Sequence, residues 1–243
     1  MALEQDIADL VQASNNLTGA VDNKIQAIDA RIAAKETEVN NYLASARGEN
    51  AIYRQSKNQF CNLTGDSLDY FAKNGGFTIS VSHYRSIVTG TVWASRDAEE
   101  QEILTKMGRN GVQHFQPEIR VMKMTWSGYD PEQHSSYTMF PSPIGNNSTY
   151  CTVASYAKLL SGNIGGQWLQ GVNNEWGLCG THYAVVPGRY LHAHPYAYSP
   201  SGEVLFIWPG VVSGYVSLDR DNPKWGYYPS LYGDSSFDTA AGA

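Results

Sequence analysis

The chain has 243 residues, a net charge of −6, 12% aromatic and only 16% charged residues, where about 25% charged is usual for a soluble domain. That balance, with no basic run, leaves no electrostatic footprint for nucleic acid or for an anionic membrane surface. There is no run of about 18 apolar residues to span a bilayer, and the opening Met-Ala-Leu-Glu-Gln-Asp lacks the positive and apolar regions of a secretion signal.

Residues 1–48 read as a single helix. Leu3, Ile7, Leu10, Leu17, Val21, Ile25, Ile28, Ile32, Val39 and Leu43 recur in steps of three, four or seven. Such a stripe is too narrow for a globular core and suits pairing of the helix with copies of itself. Ser14 interrupts one seam position, and Leu17, Val21 and Ile25 follow one another in two steps of four, an insertion that locally unwinds a supercoil. Gly19 lies inside that insertion and costs about 1 kcal/mol of helix propensity relative to Ala. Beyond it Ile25, Ile28 and Ile32 put Ile at both seam positions, which favours three or four strands over two. The expected element is a homotrimeric coiled-coil neck, with a rod of roughly 65 Å from Leu3 to Ala46.

Residues 49–76 read as a transition and 77–243 as a β-rich, mainly antiparallel head with one or two short helices. Phe77, Ile79 and Val81 alternate with small polar residues, and β-prone residues continue from Tyr84 to Trp93 with a break at Gly90. Ser95 or Asp97 is placed to cap a helix from Ala98 to Met107, closed by Gly108. Ile119 to Trp126 alternates as a strand, with Arg120, Met122, Met124 and Trp126 on one face. Tyr129 to Asn147 reads mostly as loop. Val153, Tyr156, Leu159 and Leu160 have helical spacing, so a second helix is expected from Val153 to Ser161, ended by Gly162. Short strands are expected at Tyr183–Val186, Arg189–His192, Glu203–Trp208 and Val211–Leu218, and a frayed tail at Ser235–Ala243.

A heptad neck opening Leu-Glu-Gln-Asp-Ile-Ala-Asp-Leu-Val-Gln-Ala-Ser-Asn-Asn-Leu-Thr, followed by a Gly, Tyr and Trp-rich β body, resembles tail-fibre and other fibre proteins of tailed bacteriophages. The resemblance covers about the first 45 residues in wording and the remainder in character. It implies a homotrimer made in the host cytoplasm and carried on the virion. Such a protein is attached to tail, collar or baseplate proteins at one end and displays a head for a host-surface saccharide. The short neck fits a short fibre, a collar fibre or the distal piece of a longer assembly.

Within the head, Trp168, Trp176, Trp225, Tyr227, Tyr228 and Tyr232 lie in Gly, Asn and Pro-rich contexts. Rings in such loops offer flat apolar faces to sugars, with neighbouring amides and carboxylates for the hydroxyls; the alternative for each is core or interface packing. His192-Ala193-His194 would put two imidazoles on one side of a strand. On a trimer axis that converges six ligands suited to Fe, Ni or Zn, and the resemblance supports such a site. A plain surface strand or turn is the alternative. No other cofactor is expected. Asp219-Arg220-Asp221-Asn222 lacks the further carboxylates of a Ca²⁺ loop and reads as a solvated turn.

The expected action is binding rather than catalysis. Cys61, Cys151 and Cys179 have no metal-type spacing and read as reduced, buried thiols. Cys151 before the expected helix, with His182 downstream, follows the order of Cys and His in papain-like amidases. It leaves a Cys-His hydrolase as an alternative, though no orienting third residue is evident. A purely structural collar or baseplate connector is the other alternative.

Overall fold

The computed structural model describes residues 2–49, 53–142 and 149–230. The chain folds as two compact units, Met1–Asn50 and Ala51–Ala243. The first is one helix, α1 (Ala2–Glu49). It contains no Pro and ten Ala, the residue with the highest helix propensity. Side chains one turn apart bond along it, Gln5 to Asp9 and Gln12 to Asn16 at 3.0 Å each. The Thr18 hydroxyl donates to the Ser14 carbonyl at 3.0 Å, and the helix passes through Gly19 without a break. Among the described residues no helix is long and apolar enough to cross a membrane.

The second unit is built on β1 (Leu63–Thr64), β2 (Ser67–Leu68), β3 (Phe71–Lys73), β4 (Thr78–Ile87), β5 (Ile119–Ser127), β6 (Met139–Pro141), β7 (Cys151–Ser161), β8 (Ile164–Gly165), β9 (Gly177–Tyr183), β10 (Tyr196–Ala197) and β11 (Ser201–Ser213), with one α-helix, α2 (Ala98–Lys106). Five of these form the main sheet in the order β4-β5-β11-β7-β9, antiparallel throughout. Three two-stranded ribbons, β1-β2, β3-β6 and β8-β10, flank it.

Alternation along the strands divides the core in two. Met122, Met124 and Trp126 of β5, Val153 and Ala157 of β7, and Val204 and Phe206 of β11 face the ribbons, with Phe71, Met139, Ile164 and Trp168. Val121, Tyr156, Leu205 and Ile207 face the other way, onto Ile103 and Leu104 of α2 and onto Val216 and Trp225 of the C-terminal segment. The β5 alternation therefore stands as expected. So does α2: the Asp97 carboxylate caps it by accepting from the Glu100 N–H at 2.9 Å, and Gly108 follows at φ +70°.

Residues 53–62 are woven into this unit. Arg54 bridges both Val212 and Ser230, and Gln59 donates to the Gly226 carbonyl at 2.9 Å while accepting from the Tyr228 N–H at 2.9 Å. Both side chains are fully buried. The polar composition of this stretch thus reflects its role in joining β11 to the C-terminal segment, with the buried backbone groups paired.

The helix expected at Val153–Ser161 is instead β7, paired on both sides with β11 and β9. A strand covered on both faces carries a nearly continuous apolar run, which chance spacing can make look helical. Cys151 to Ala157 are all buried. Glu203–Trp208 and Val211–Leu218 merge in part into the single 13-residue β11, which passes Pro209 through a bulge where the register to β7 shifts between Ile207 and Gly210. Trp208 takes φ +52° there, and its carbonyl accepts from the Trp225 indole N–H at 3.0 Å. Tyr183 ends β9, and Ala184–Val186 and Arg189–His192 form no strand. The expected tail at Ser235–Ala243 lies outside the described residues, as do Tyr232 and the side chain of Leu43.

Candidate functional site

Two features of the chain carry functional geometry, an apolar stripe on α1 and a polar cleft in the β unit. On α1, Leu3, Ile7, Leu10, Leu17, Val21, Ile25, Ile28 and Ile32 are all exposed, from 48% at Val21 to 71% at Leu3 and Leu10. Val39 shares the exposure at 53%.

The residues read as sugar platforms lie elsewhere. Trp168, Trp176 and Trp225 are buried, which corrects the expectation of open indole faces. Trp168 sits in a 3₁₀ turn under β7, where the Ser155 hydroxyl donates to its carbonyl at 2.7 Å and Phe206 packs at 5.3 Å. Trp225 is locked by its indole bond to Trp208 and by the Tyr156 hydroxyl, which donates to its carbonyl at 2.8 Å. Trp176 packs in the core facing α2. Tyr227 and Tyr228 are half-buried: Arg54 stacks 5.2 Å over the Tyr227 ring, and the Tyr228 hydroxyl donates to the Lys224 carbonyl at 2.8 Å. Burial pushes the Tyr228 phenol up to about 12. Large rings dominate cores because they bury the most apolar area, and flanking Gly and Asn do not show which way a ring turns.

His192 and His194 lie in an irregular segment before β10, their ring centroids 5.2 Å apart and edge to face. His192 is exposed and His194 buried, packed against Tyr137, Phe140 and Tyr196 at 5.0 to 6.0 Å. The pair does not stand side by side on a strand. Among the described residues no group of three or more His, Cys, Asp or Glu side chains gathers to hold a metal ion. Asp219 to Asn222 form an exposed turn in which the Asp221 N–H donates to the Asp219 carboxylate at 2.9 Å.

Cys151 and His182 are not brought together. Thr152, not Cys151, pairs with His182 in the β7-β9 register, so the thiol and the imidazole point to opposite faces of the sheet. Cys151 is on a strand rather than at a helix N-terminus, and burial raises its thiol pKa. His182 stacks on Tyr215 at 4.5 Å and bonds the Val216 carbonyl at 2.9 Å.

The cleft lies over the paired ends of β4 and β5, on the face that carries His83, Ser86, Arg120 and Met122. It is an open depression of about 550 Å³ lined by Cys61, Asn62, Leu63, His83, Ser86, Glu118, Arg120 and Met122. Arg120 and Met122 alternate onto one face of β5, and Glu118, the residue before β5, lines the same cleft. On β4 a bulge between His83 and Arg85 shifts the register, so that His83 pairs with Met122 and Ser86 with Arg120. The shift turns Ile87 to the α2 side of the sheet and Ser86 to the cleft. His83 Nε2 and Ser86 Oγ meet at 3.0 Å.

The third wall is the segment Cys61–Leu63, held by Asn58. The Asn58 amide donates to the carbonyls of Asn62 and Asp69 at 2.9 and 2.8 Å, and its oxygen accepts the Asn62 N–H at 2.7 Å. Asn58 and Cys61 both take the left-handed backbone conformation, with φ of +57° and +66°, which is costly for Cys. Arg120 donates to Asn62 Oδ1 at 2.8 Å and stacks 4.0 Å over the Phe60 ring. Among the described residues Glu118 makes no hydrogen bond or ion pair. Burial pushes the Cys61 thiol up to about 12, against smaller lowering effects of the Trp208 backbone, Arg120 and Arg54. It is an inert wall.

Reading by parity groups Ile79, Val81, His83, Arg85 and Ile87 on one face and leaves Ser86 on the other. The bulge reverses that, so His83, Ser86 and Glu118 carry no local signal as a set. No protein-family model matches this sequence, and no curated protein matches it.

Proposed function

We propose that the chain is a homotrimeric, fibre-like attachment protein carried on the virion of a tailed bacteriophage. In this reading α1 is the stalk and the β unit is a head that binds the host surface without catalysis. One observation carries it: a 48-residue helix whose apolar stripe is exposed from Leu3 to Val39. Exposed side chains of this kind recover about 25 cal/mol per Å² of apolar area when copies pair, and an isolated helix gains little from propensity alone. The Ile-rich second half supports three strands. Three heads on one stalk multiply weak individual affinities through effective concentration.

Sedimentation equilibrium of the whole chain, compared with an Ile25→Asn/Ile28→Asn variant, tests the assembly. The trimer reading expects three chain masses for the native protein and one for the variant; a native monomer sinks it. Fluorescently labelled protein should coat host cells. A tight complex with a collar or baseplate component and no coating would instead make the chain a connector.

A further inference from the structure

We infer that the bulge cleft of the β unit is a binding site for an uncharged, hydroxyl-rich ring of the hexose type. This deepens the attachment reading above by giving the head a specific site.

The donor and acceptor inventory selects the ligand class. Arg120 has five N–H donors and no acceptor, and Asn62 takes one of them. Glu118 is acceptor-only when ionised and is bonded to none of the described residues. These two side chains, two residues apart in the sequence, both line the cleft, yet among the described residues they form no ion pair with each other. A hydroxyl both donates and accepts, so adjacent hydroxyls on a ring can donate to Glu118 while accepting from Arg120. The His83-Ser86 couple, with its Nε2 to Oγ contact of 3.0 Å, offers a further donor and acceptor. Leu63 and Met122 supply apolar wall for the C–H face of a ring.

Formal charge selects in the same direction. One guanidinium and one carboxylate line the cleft, so a phosphate or carboxylate ligand attracted by Arg120 is repelled by Glu118, and a cation the reverse. A neutral polyol satisfies both. His83 and Ser86 are in contact, but among the described residues no carboxylate orients the imidazole for nucleophilic hydrolysis. A hydroxyl nucleophile needs a base held by a third group.

The test uses the full chain in saturation-transfer difference NMR with methyl α-D-glucopyranoside, methyl α-D-galactopyranoside and methyl α-D-mannopyranoside. Sodium glucuronate and inorganic phosphate serve as charged comparators. At least one neutral hexoside should receive saturation at its ring protons and outcompete both anions. Glu118→Gln and Arg120→Ala should each weaken it about ten-fold or more, the loss of one charged hydrogen bond, with thermal unfolding showing that the variants are folded. If Arg120→Ala fails to fold, Glu118→Gln and Ser86→Ala carry the test. Three results overturn the site: no hexoside signal, tighter binding of either anion, or a signal that survives all the folded variants. Hydrolysis of p-nitrophenyl acetate that is lost in Ser86→Ala also overturns it. Cell coating unchanged in the folded cleft variants leaves the attachment reading standing and removes the cleft from it. Hexoside binding without cell coating does the opposite.

Discussion

Gly202 and Trp126 face each other directly across β11 and β5, and the indole fills the space a side chain on Gly202 would need. A Cβ built there would lie 2.2 Å from Trp126 Cζ2 and 2.5 Å from the Ser161 carbonyl oxygen on the other neighbouring strand. The indole is also held by its N–H, which donates to the Ser199 carbonyl at 3.0 Å. Gly202→Ala is therefore expected to destabilise the head by about 1–3 kcal/mol or more, the usual cost of overpacking. Urea denaturation monitored by Trp fluorescence checks this, and a neutral result would show that β5 and β11 can separate at this point.

Trp168→Ala separates a core role from a ligand role. The side chain is wholly buried among Phe206 and the ribbon-facing core, so its loss should cost about 3–5 kcal/mol. Ligand affinity of the remaining folded protein should stay near native. A variant of native stability with weakened hexoside binding would return Trp168 to the role its loop context suggested.

All three cysteines are free and buried, and burial pushes the Cys61 and Cys179 thiols up to about 12 and about 11, with Cys151 also raised. Thiolate is the reactive form, so native protein in mildly alkaline buffer should react with Ellman's reagent far more slowly than free cysteine. Guanidinium chloride should expose all three at once. Rapid labelling of Cys151 in native protein would contradict its placement in β7.

Stability should fall on mild acidification through His194. Burial first, and the neighbouring His192 second, hold its imidazole down to about 4 from an ordinary value of 6.5, and its Nδ1 is buried without a hydrogen bond among the described residues. Between those values the unfolded chain binds a proton that the folded chain refuses, so this contribution is complete above about pH 6.5 and lost as pH falls towards about 4. Its full size is about 3 kcal/mol. His194→Phe keeps the edge-to-face packing with Tyr137, Phe140 and Tyr196 and should flatten the melting temperature between pH 7 and pH 5 relative to native protein. An unchanged pH profile in that variant would assign the acid sensitivity elsewhere.

Lys35 continues the spacing of the α1 apolar stripe, three residues after Ile32 and four before Val39. Its ammonium group pairs with Glu38 on the same helix. In a trimer three such charges approach one another, and replacing buried charged groups with apolar ones is neutral or stabilising by roughly 1–4 kcal/mol. In the proposed trimer, Lys35→Ile should therefore raise the thermal midpoint of α1 in circular dichroism. A lowered midpoint would place Lys35 outside the seam.

Much of the architecture was legible because its signals are local. The α1 stripe, the Asp97 cap, the Gly108 stop and the β5 alternation each depend on residues within a turn or a strand of one another. The Val153–Ser161 segment misleads because it is flanked by strands on both sides and covered on both faces. Its composition records burial rather than period. The Trp residues mislead for a related reason: Gly and Asn beside a ring mark a turn of the backbone but do not say whether the ring lies over the core or away from it.

Sequence alone determined a long amphipathic helix and a β-rich unit, since helix periodicity and strand alternation are set by backbone geometry residue by residue. Tertiary structure alone decided which polar side chains gather at the cleft. One extra residue at the β4 bulge moves Ser86 beside His83, and antiparallel pairing brings Arg120 opposite Ser86. The Asn58 bonds then carry Asn62 to within 2.8 Å of that guanidinium. These residues come from three separate stretches of chain, and only the closing of the sheet and its flanking segment makes them neighbours.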